Sequence, residues 1–252
     1  MPNLATHKTC TGCAACVDAC NFNAISFECE IDGHYYPHVN TNLCVNCRSC
    51  ERVCPILSNT RYGNNEQFTS MVYAGWCKND ELRKKSATSG IFASIAQYII
   101  GIGGYVVGVI IDGAYCNYII TNNIDDVKYI QGSKYMYSNP QGIYKKIKLK
   151  LAEGKSVLFS GLPCHCAALL SYIPSKYKKQ LLTIDLICGG VPSRLLIDKF
   201  NESTCNKLKR IISFRDKVNG WKASGFRYKL ACEMKDSSFY VQKESEKNLI
   251  TD

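Results

Sequence analysis

Polar side chains dominate the first nine positions, and the longest apolar stretch lies at residues 91–111, where Ser94 and Gln97 are the clearly polar side chains. A run of that length raises the question of a membrane span. Gly101, Gly103 and Gly104 interrupt it, and the stretch rich in β-branched residues at 105–111 suits a buried strand better than a continued helix. The reading is therefore a helix, a glycine break and a strand, with no membrane span. Further short apolar runs at 72–77, 156–160 and 181–187 read as strands, and helical patterns follow Ser89, Pro140, Cys164 and Ser193. That alternation predicts a mixed α/β (α+β) domain. Upstream, 24–29 and 35–39 flank Asp32-Gly33, a dipeptide suited to a tight hairpin turn. Residues 61–70 are polar and aperiodic, which is linker chemistry. The expected division is a small module at 1–60, a linker at 61–70 and the larger domain at 71–252, the latter in two parts at 71–150 and 151–252.

Composition changes the picture of the small module. The chain of 252 residues holds 16 Cys, far above ordinary usage. Cys10, Cys13, Cys16 and Cys20 form C-x2-C-x2-C-x3-C, and Cys44, Cys47, Cys50 and Cys54 repeat it with Pro55 directly after. This is the spacing of a bacterial-type ferredoxin with two 4Fe-4S clusters, in which the fourth cysteine of each run serves the other cluster. Three thiolates two residues apart can wrap one face of a cubane, while the fourth is expected to point away at the start of a helix. Cluster one then takes Cys10, Cys13, Cys16 and Cys54, and cluster two takes Cys44, Cys47, Cys50 and Cys20. The hairpin between the runs would cover both. Zinc also accepts C-x2-C pairs, but its sites use two pairs of ligands and not two runs of four.

The polar segment from Met1 to Thr9 reaches a cysteine before any apolar run, which predicts no secretory leader. Closely spaced thiols then belong to a reducing compartment, and the cytoplasm is the expected location. The formal charge of +10 falls to about +6 once two oxidised cluster cores with their thiolates contribute about −2 each. Such an excess can steer an acidic electron-carrier protein. The lysines at 145–150 read as a solvated helix face, and nothing points to nucleic acid.

Several predicted strands run into unusual loops. The Ser86-Ala87-Thr88-Ser89-Gly90 segment precedes a helix and could hold a phosphate, or could be an ordinary N-cap. Gly161-Leu162-Pro163-Cys164-His165-Cys166 and Cys188-Gly189-Gly190 end two other strands. A thiol at a helix start is favoured as thiolate by the helix dipole, though Cys164 and Cys188 could equally be plain buried thiols. His165 reads as structural. Cys29, Cys77, Cys116, Cys205 and Cys232 show no ligand spacing.

Taken together, Ser86 to Phe92, Gly132-Ser133-Lys134-Tyr135, Glu153 to Cys164, Asp185 to Pro192 and the Ile211, Ser213, Phe214, Arg215, Asp216 segment resemble the coenzyme F-420 hydrogenase/dehydrogenase beta-subunit family. The resemblance spans nearly the whole chain. It implies an FAD-binding domain fed by the clusters, in an oxidoreductase exchanging electrons with coenzyme F-420 or another small organic substrate. It further implies FAD phosphates near Thr88, Ser89 and Gly90, and the isoalloxazine ring near Ser133, Lys134, Ser160 and Gly161. Lys134 would face the flavin as a cation, and Cys164 and Cys188, with Cys166 as a further candidate, would make either metal or substrate-side contacts or serve as spare thiols. Two departures stand out: Cys20 is followed by Asn21 where bacterial ferredoxins usually place Pro, and family members commonly run well past Asp252. The rival reading, from another class, is a flavin-free electron-transfer adaptor that docks on a catalytic partner subunit. A third is a binding module whose clusters merely hold the fold.

Overall fold

The computed structural model describes residues 1–58, 71–215 and 228–241. Its N-terminal module consists of α1 (Ala15–Asp18), β1 (Ile25–Cys29), β2 (Tyr35–Val39) and α2 (Ser49–Val53). The two strands pair antiparallel, Ile25 opposite Val39 and Cys29 opposite Tyr35. The intervening turn is closed by Asp32, whose Oδ1 accepts the His34 N–H at 2.9 Å, and by Gly33 at φ 73°, a conformation that costs glycine little. The one-turn helices differ from expectation in their position. Each contains the third cysteine of its run, so Cys20 and Cys54 emerge just beyond a helix end and not at a helix start.

The larger domain continues with α3 (Asp80–Lys85), α4 (Ile91–Gly101), β3 (Tyr105–Asp112), β4 (Tyr115–Thr121), α5 (Val127–Ile130), β5 (Ser138–Asn139), α6 (Ile143–Ala152), β6 (Val157–Gly161), α7 (Pro163–Tyr172), β7 (Leu181–Asp185) and α8 (Leu195–Ser203). The strands form one mixed sheet in the order β5-β4-β3-β6-β7, with β3, β6 and β7 parallel and β3-β4 antiparallel. Alternation along the strands separates two cores. Val106 and Leu158 face Ala93, Ala96 and Ile99 of α4 and Val127 and Ile130 of α5. Val107, Val157 and Phe159 face α6 and α7. A second sheet, β8 (Leu208–Arg215), β9 (Tyr228–Met234) and β10 (Phe239–Val241), is antiparallel throughout. It shares a smaller core with α8 and with Cys116 and Met136.

The expected helix, glycine break and strand at 91–111 are found as α4 and β3, and among the described residues no helix is long and apolar enough to cross a membrane. The run at 72–77 is a correction: it forms no strand, and Val72, Tyr73 and Trp76 are exposed. An apolar run becomes a strand only where a neighbouring strand takes up its backbone groups, and the sheet ends at β5 and β7. Residues 61–70, read as a linker, lie outside the described residues.

The module is not a bead on a string. Cys13 and Ala15 belong to the same buried cluster as Tyr144, Ile147, Phe159 and Leu169, so the first cysteine loop completes the core on the α6/α7 face. Helix α6 is amphipathic in the required way, burying Ile143, Tyr144, Ile147 and Leu151 while Lys145, Lys146 and Lys148 stay exposed.

Candidate metal centres

Two hollows open in the module, and each is lined by four of the eight motif cysteines in the crossed sets that the spacing demands. Cys10, Cys13, Cys16 and Cys54 line one of about 370 Å³, together with Phe27 and Pro37 of the hairpin. Cys20, Cys44, Cys47 and Cys50 line another of about 320 Å³, together with Phe22, Val45 and Arg48. Among the described residues no three His, Cys, Asp or Glu side chains converge closely enough to grip a single ion. Ligands spread around a hollow suit a polynuclear core, and four soft thiols on each are the donor set of an iron-sulfur cluster. The residues therefore fit the group.

The two hollows differ in setting. In the first, burial pushes Cys13 up to about 12 and raises Cys16, while the neighbouring Cys10, Cys13 and Cys54 raise Cys16 further. Thiols crowded in this way keep their protons unless a cation compensates, which couples metal binding to proton release. In the second, Cys47 is exposed and sits lower than an ordinary thiol, held there by the Ser49 hydroxyl and backbone N–H. Cys20 Sγ accepts the Ala24 N–H at 3.2 Å.

The first hollow is fastened to the larger domain by polar contacts absent from any motif. Asp18, 2% exposed, accepts the backbone N–H groups of Gly142 at 2.6 Å, Tyr144 at 3.1 Å and Lys145 at 3.4 Å. It thus caps α6 from another part of the chain, since α6 begins at a left-handed glycine with no capping side chain of its own. Burial raises the Asp18 carboxyl, opposed by these N–H groups and by Lys145. Tyr144 Oη donates to the Cys13 carbonyl at 2.9 Å, Tyr137 Oη to the Gly12 carbonyl at 2.9 Å and Tyr172 Oη to the Asp18 carbonyl at 3.4 Å. The hairpin is held separately: Ser193 Oγ donates to the Asp32 carbonyl at 2.6 Å, the Arg194 N–H to the Gly33 carbonyl at 3.1 Å and its guanidinium to Tyr35 Oη at 2.9 Å.

Cys164 lies at the start of α7, as its motif predicts. The Thr11 hydroxyl lowers both Cys13 and Cys164, and the Cys188 thiol raises Cys164. Cys164 therefore lies near Thr11 at the edge of the first hollow, and the loop after β7 brings Cys188 near Cys164. The expectation of a dipole-favoured thiolate at Cys164 is reversed in this setting, because burial outweighs the backbone and pushes the thiol up. Cys188 is exposed. His165 is buried, contacts Tyr118 Oη at 2.8 Å through Nδ1 and is pushed down to about 4 by burial, a neutral structural side chain. Gly161 allows the chain to pass close to its neighbours, since a Cβ there would lie 2.7 Å from the Phe159 ring and 2.8 Å from Tyr118 Oη.

The remaining predicted residues gather elsewhere. Gln131 Nε2 donates to Ser86 Oγ at 2.8 Å, which brings the Thr88, Ser89 and Gly90 turn beside Gly132, Ser133 and Lys134. Thr88 is exposed and Ser89 and Ser133 half-buried, so polar groups are accessible there at the start of α4. Lys134 is committed differently: its Nζ donates to the carbonyls of Tyr129 at 2.9 Å, Ile130 at 2.6 Å and Gln131 at 2.7 Å, with Gly132 at 3.3 Å. It terminates α5, and burial brings it down to about 8. Ser160 stands half-buried on β6 opposite Ile184 of β7.

Residues 9–57 match the family described as the 4Fe-4S dicluster domain. With the two hollows, this supports two 4Fe-4S clusters on the N-terminal module. Residues 154–247 match the family described as the C terminus of the coenzyme F420 hydrogenase/dehydrogenase beta subunit. A chain of the F420-reducing (NiFe) hydrogenase complex from Methanosarcina barkeri, solved as a xenon derivative, is similar at 15% identity and a TM-score of 0.43, over 67% of this chain and 60% of the other. This chain thus spans under two thirds of that one. A search of curated proteins found no match.

Proposed function

We propose that the protein relays electrons between a carrier protein and a small organic acceptor, coenzyme F-420 or a compound of similar role, through two 4Fe-4S clusters and an FAD on the α/β domain. The carrying observation is the setting of the two hollows, one with Cys47 exposed to solvent and one whose Cys13 packs into the core of the α/β domain against α6 and α7. In this reading Cys10, Cys13, Cys16 and Cys54 hold one cluster and Cys20, Cys44, Cys47 and Cys50 the other. When bound, such clusters supply one-electron carriage, and a flavin supplies conversion between one- and two-electron chemistry. The chain's own residues provide the frame: Asp18, Tyr137 and Tyr144 hold the first cysteine loop on the domain, and Thr11 lies beside both Cys13 and Cys164. Thr88, Ser89 and Ser133 offer accessible polar groups for the phosphates beside the buried Gly90 at the start of α4, and Ser160 stands half-buried on β6 next to Gly161. A reducing compartment, the cytoplasm, fits a chain with eight ligand thiols.

One observation favours a second reading, the flavin-free adaptor serving a catalytic partner subunit. The three N–H groups of the Lys134 ammonium are spent on backbone carbonyls and leave no donor free for a flavin. An anaerobic visible spectrum with iron, sulfide and released FAD measured per chain decides between them. About eight iron and one FAD support the relay to an organic acceptor. Eight iron with no flavin, even after FAD is added, establishes the adaptor, and zinc in place of iron sinks both.

A further inference from the structure

We propose that the rim of the second hollow is the docking surface for a small one-electron carrier protein with an acidic face; this rests on the relay described above and assigns its carrier side. Around the cysteines lie Phe22, Val45 and Arg48, with Phe22 50% and Val45 56% exposed and Arg48 exposed. Arg52 adds a second guanidinium, held toward the same loop by donation to the Cys47 carbonyl at 3.0 Å and to Ser49 Oγ at 2.8 Å. From Asn40 to Cys54 the acidic residue is Glu51, and its carboxylate is engaged by the Asn3 N–H at 2.7 Å. The rim therefore presents apolar contact area beside two exposed guanidiniums and one carboxylate, a net positive side-chain charge. This combination fits a transient electron-transfer encounter: a small interface, an apolar centre, and complementary charge that raises the association rate more than the affinity. Cys13 of the other hollow packs against α6 and α7, whereas Cys47 is exposed, so a carrier reaches a ligand thiol most directly at Cys47. In the encounter one electron leaves the reduced carrier and is taken up by an oxidised cluster, with no bond or proton exchanged.

The test is anaerobic stopped-flow reduction of the cluster-loaded full chain by a purified, acidic bacterial-type ferredoxin, over a series of salt concentrations. Arg48→Gln is expected to lower the second-order rate constant about threefold and Arg48→Glu about tenfold at low salt, the three proteins converging at high salt as screening removes the steering. Lys146→Glu, the same charge change on the exposed face of α6, is the control and is expected to have little effect. Arg48 variants that react as fast as the parent at every salt concentration would overturn the proposal. So would Lys146→Glu slowing the reaction as much as Arg48→Glu, or a dimer in sedimentation velocity that covers the rim while transfer ignores Arg48. Iron content per chain keeps the two readings apart: a parent protein without clusters defeats the relay itself, whereas clusters with indifferent Arg48 variants defeat only this docking surface.

Discussion

Replacing Asp18 tests whether the first cysteine loop and the α/β domain are one unit. The carboxylate is buried and satisfies three backbone donors at the start of α6, of which Tyr144 N–H is itself buried. Loss of an N-cap acceptor costs about 0.5–2 kcal/mol, and leaving a buried donor unpaired costs about 1–3 kcal/mol. These overlap, so Asp18→Ala is expected to destabilise the docked state by about 2–4 kcal/mol. Asp18→Asn, which keeps one acceptor oxygen and loses the charge, should cost roughly half of that. The assay is anaerobic amide hydrogen exchange on the cluster-loaded protein. Free energies of this size correspond to faster exchange by about 30- to 1000-fold at residues 142–145 if opening is local. Iron content is followed in parallel, because Asp18 stands between Cys16 and Cys20. Unchanged protection at 142–145 in Asp18→Ala, with iron retained, would refute the reasoning.

Three further outcomes follow from the geometry. Gly33→Ala should detach the hairpin tip from the loop before α8, at a cost above about 2 kcal/mol in denaturant unfolding, because φ is 73° and a Cβ would lie 2.2 Å from Ser193 Oγ and 2.9 Å from the Leu195 nitrogen. Lys134→Met should lower stability by about 1–3 kcal/mol through loss of its charged contacts to the α5 carbonyls, with flavin content unchanged; selective loss of flavin from a stably folded variant would instead assign Lys134 to the cofactor. His165, depressed to about 4 in the folded chain from an unfolded value of about 6.5, favours folding in its neutral form. Unfolded chains then bind the extra proton first, so His165 should cost stability progressively as pH falls from about 6.5 to 4, at up to about 1.4 kcal/mol per pH unit; His165→Asn should flatten the curve over that window, and parallel curves would count against the assignment.

The cysteine spacing made the metal centres legible because ligation by a cubane is a local constraint, written into intervals of three and four residues. The eight cysteines line the two hollows four and four, Cys54 with the first run and Cys20 with the second. Helices α4, α6, α7 and α8 were equally legible from their starts. Strand β4 was missed although Asp112-Gly113, a hairpin signal, precedes it and Gly113 takes φ 61°. The run at 72–77 carried a strand's composition without a strand's neighbour. Asp18 was invisible for a different reason: its partners are backbone N–H groups 124 to 127 residues away, and no side-chain pattern announces a backbone partner. Lys134 stood out in a motif, but which oxygen atoms its ammonium reaches is decided by the path of the chain through α5.

That difference bears on how the proposed relay would be organised. Ligand cysteines can be specified within one loop, whereas the position of a loop relative to its acceptor must be specified across domains. Here the positioning falls to ordinary residues: one aspartate beneath the start of α6, three tyrosine hydroxyls on the carbonyls of Gly12, Cys13 and Asp18, and a serine and an arginine on the hairpin. All of them act on the first hollow or its cover, and none on the rim at Cys47. The fold thus invests its fixed contacts on the inward side, where pre-organised geometry is useful, and leaves the outward side exposed and positively charged, as suits a partner that must arrive and leave quickly. If this division holds, substitutions at Asp18 or Tyr144 should disturb transfer between the clusters and the α/β domain without changing the salt dependence of reduction by the carrier, while substitutions at Arg48 should do the reverse.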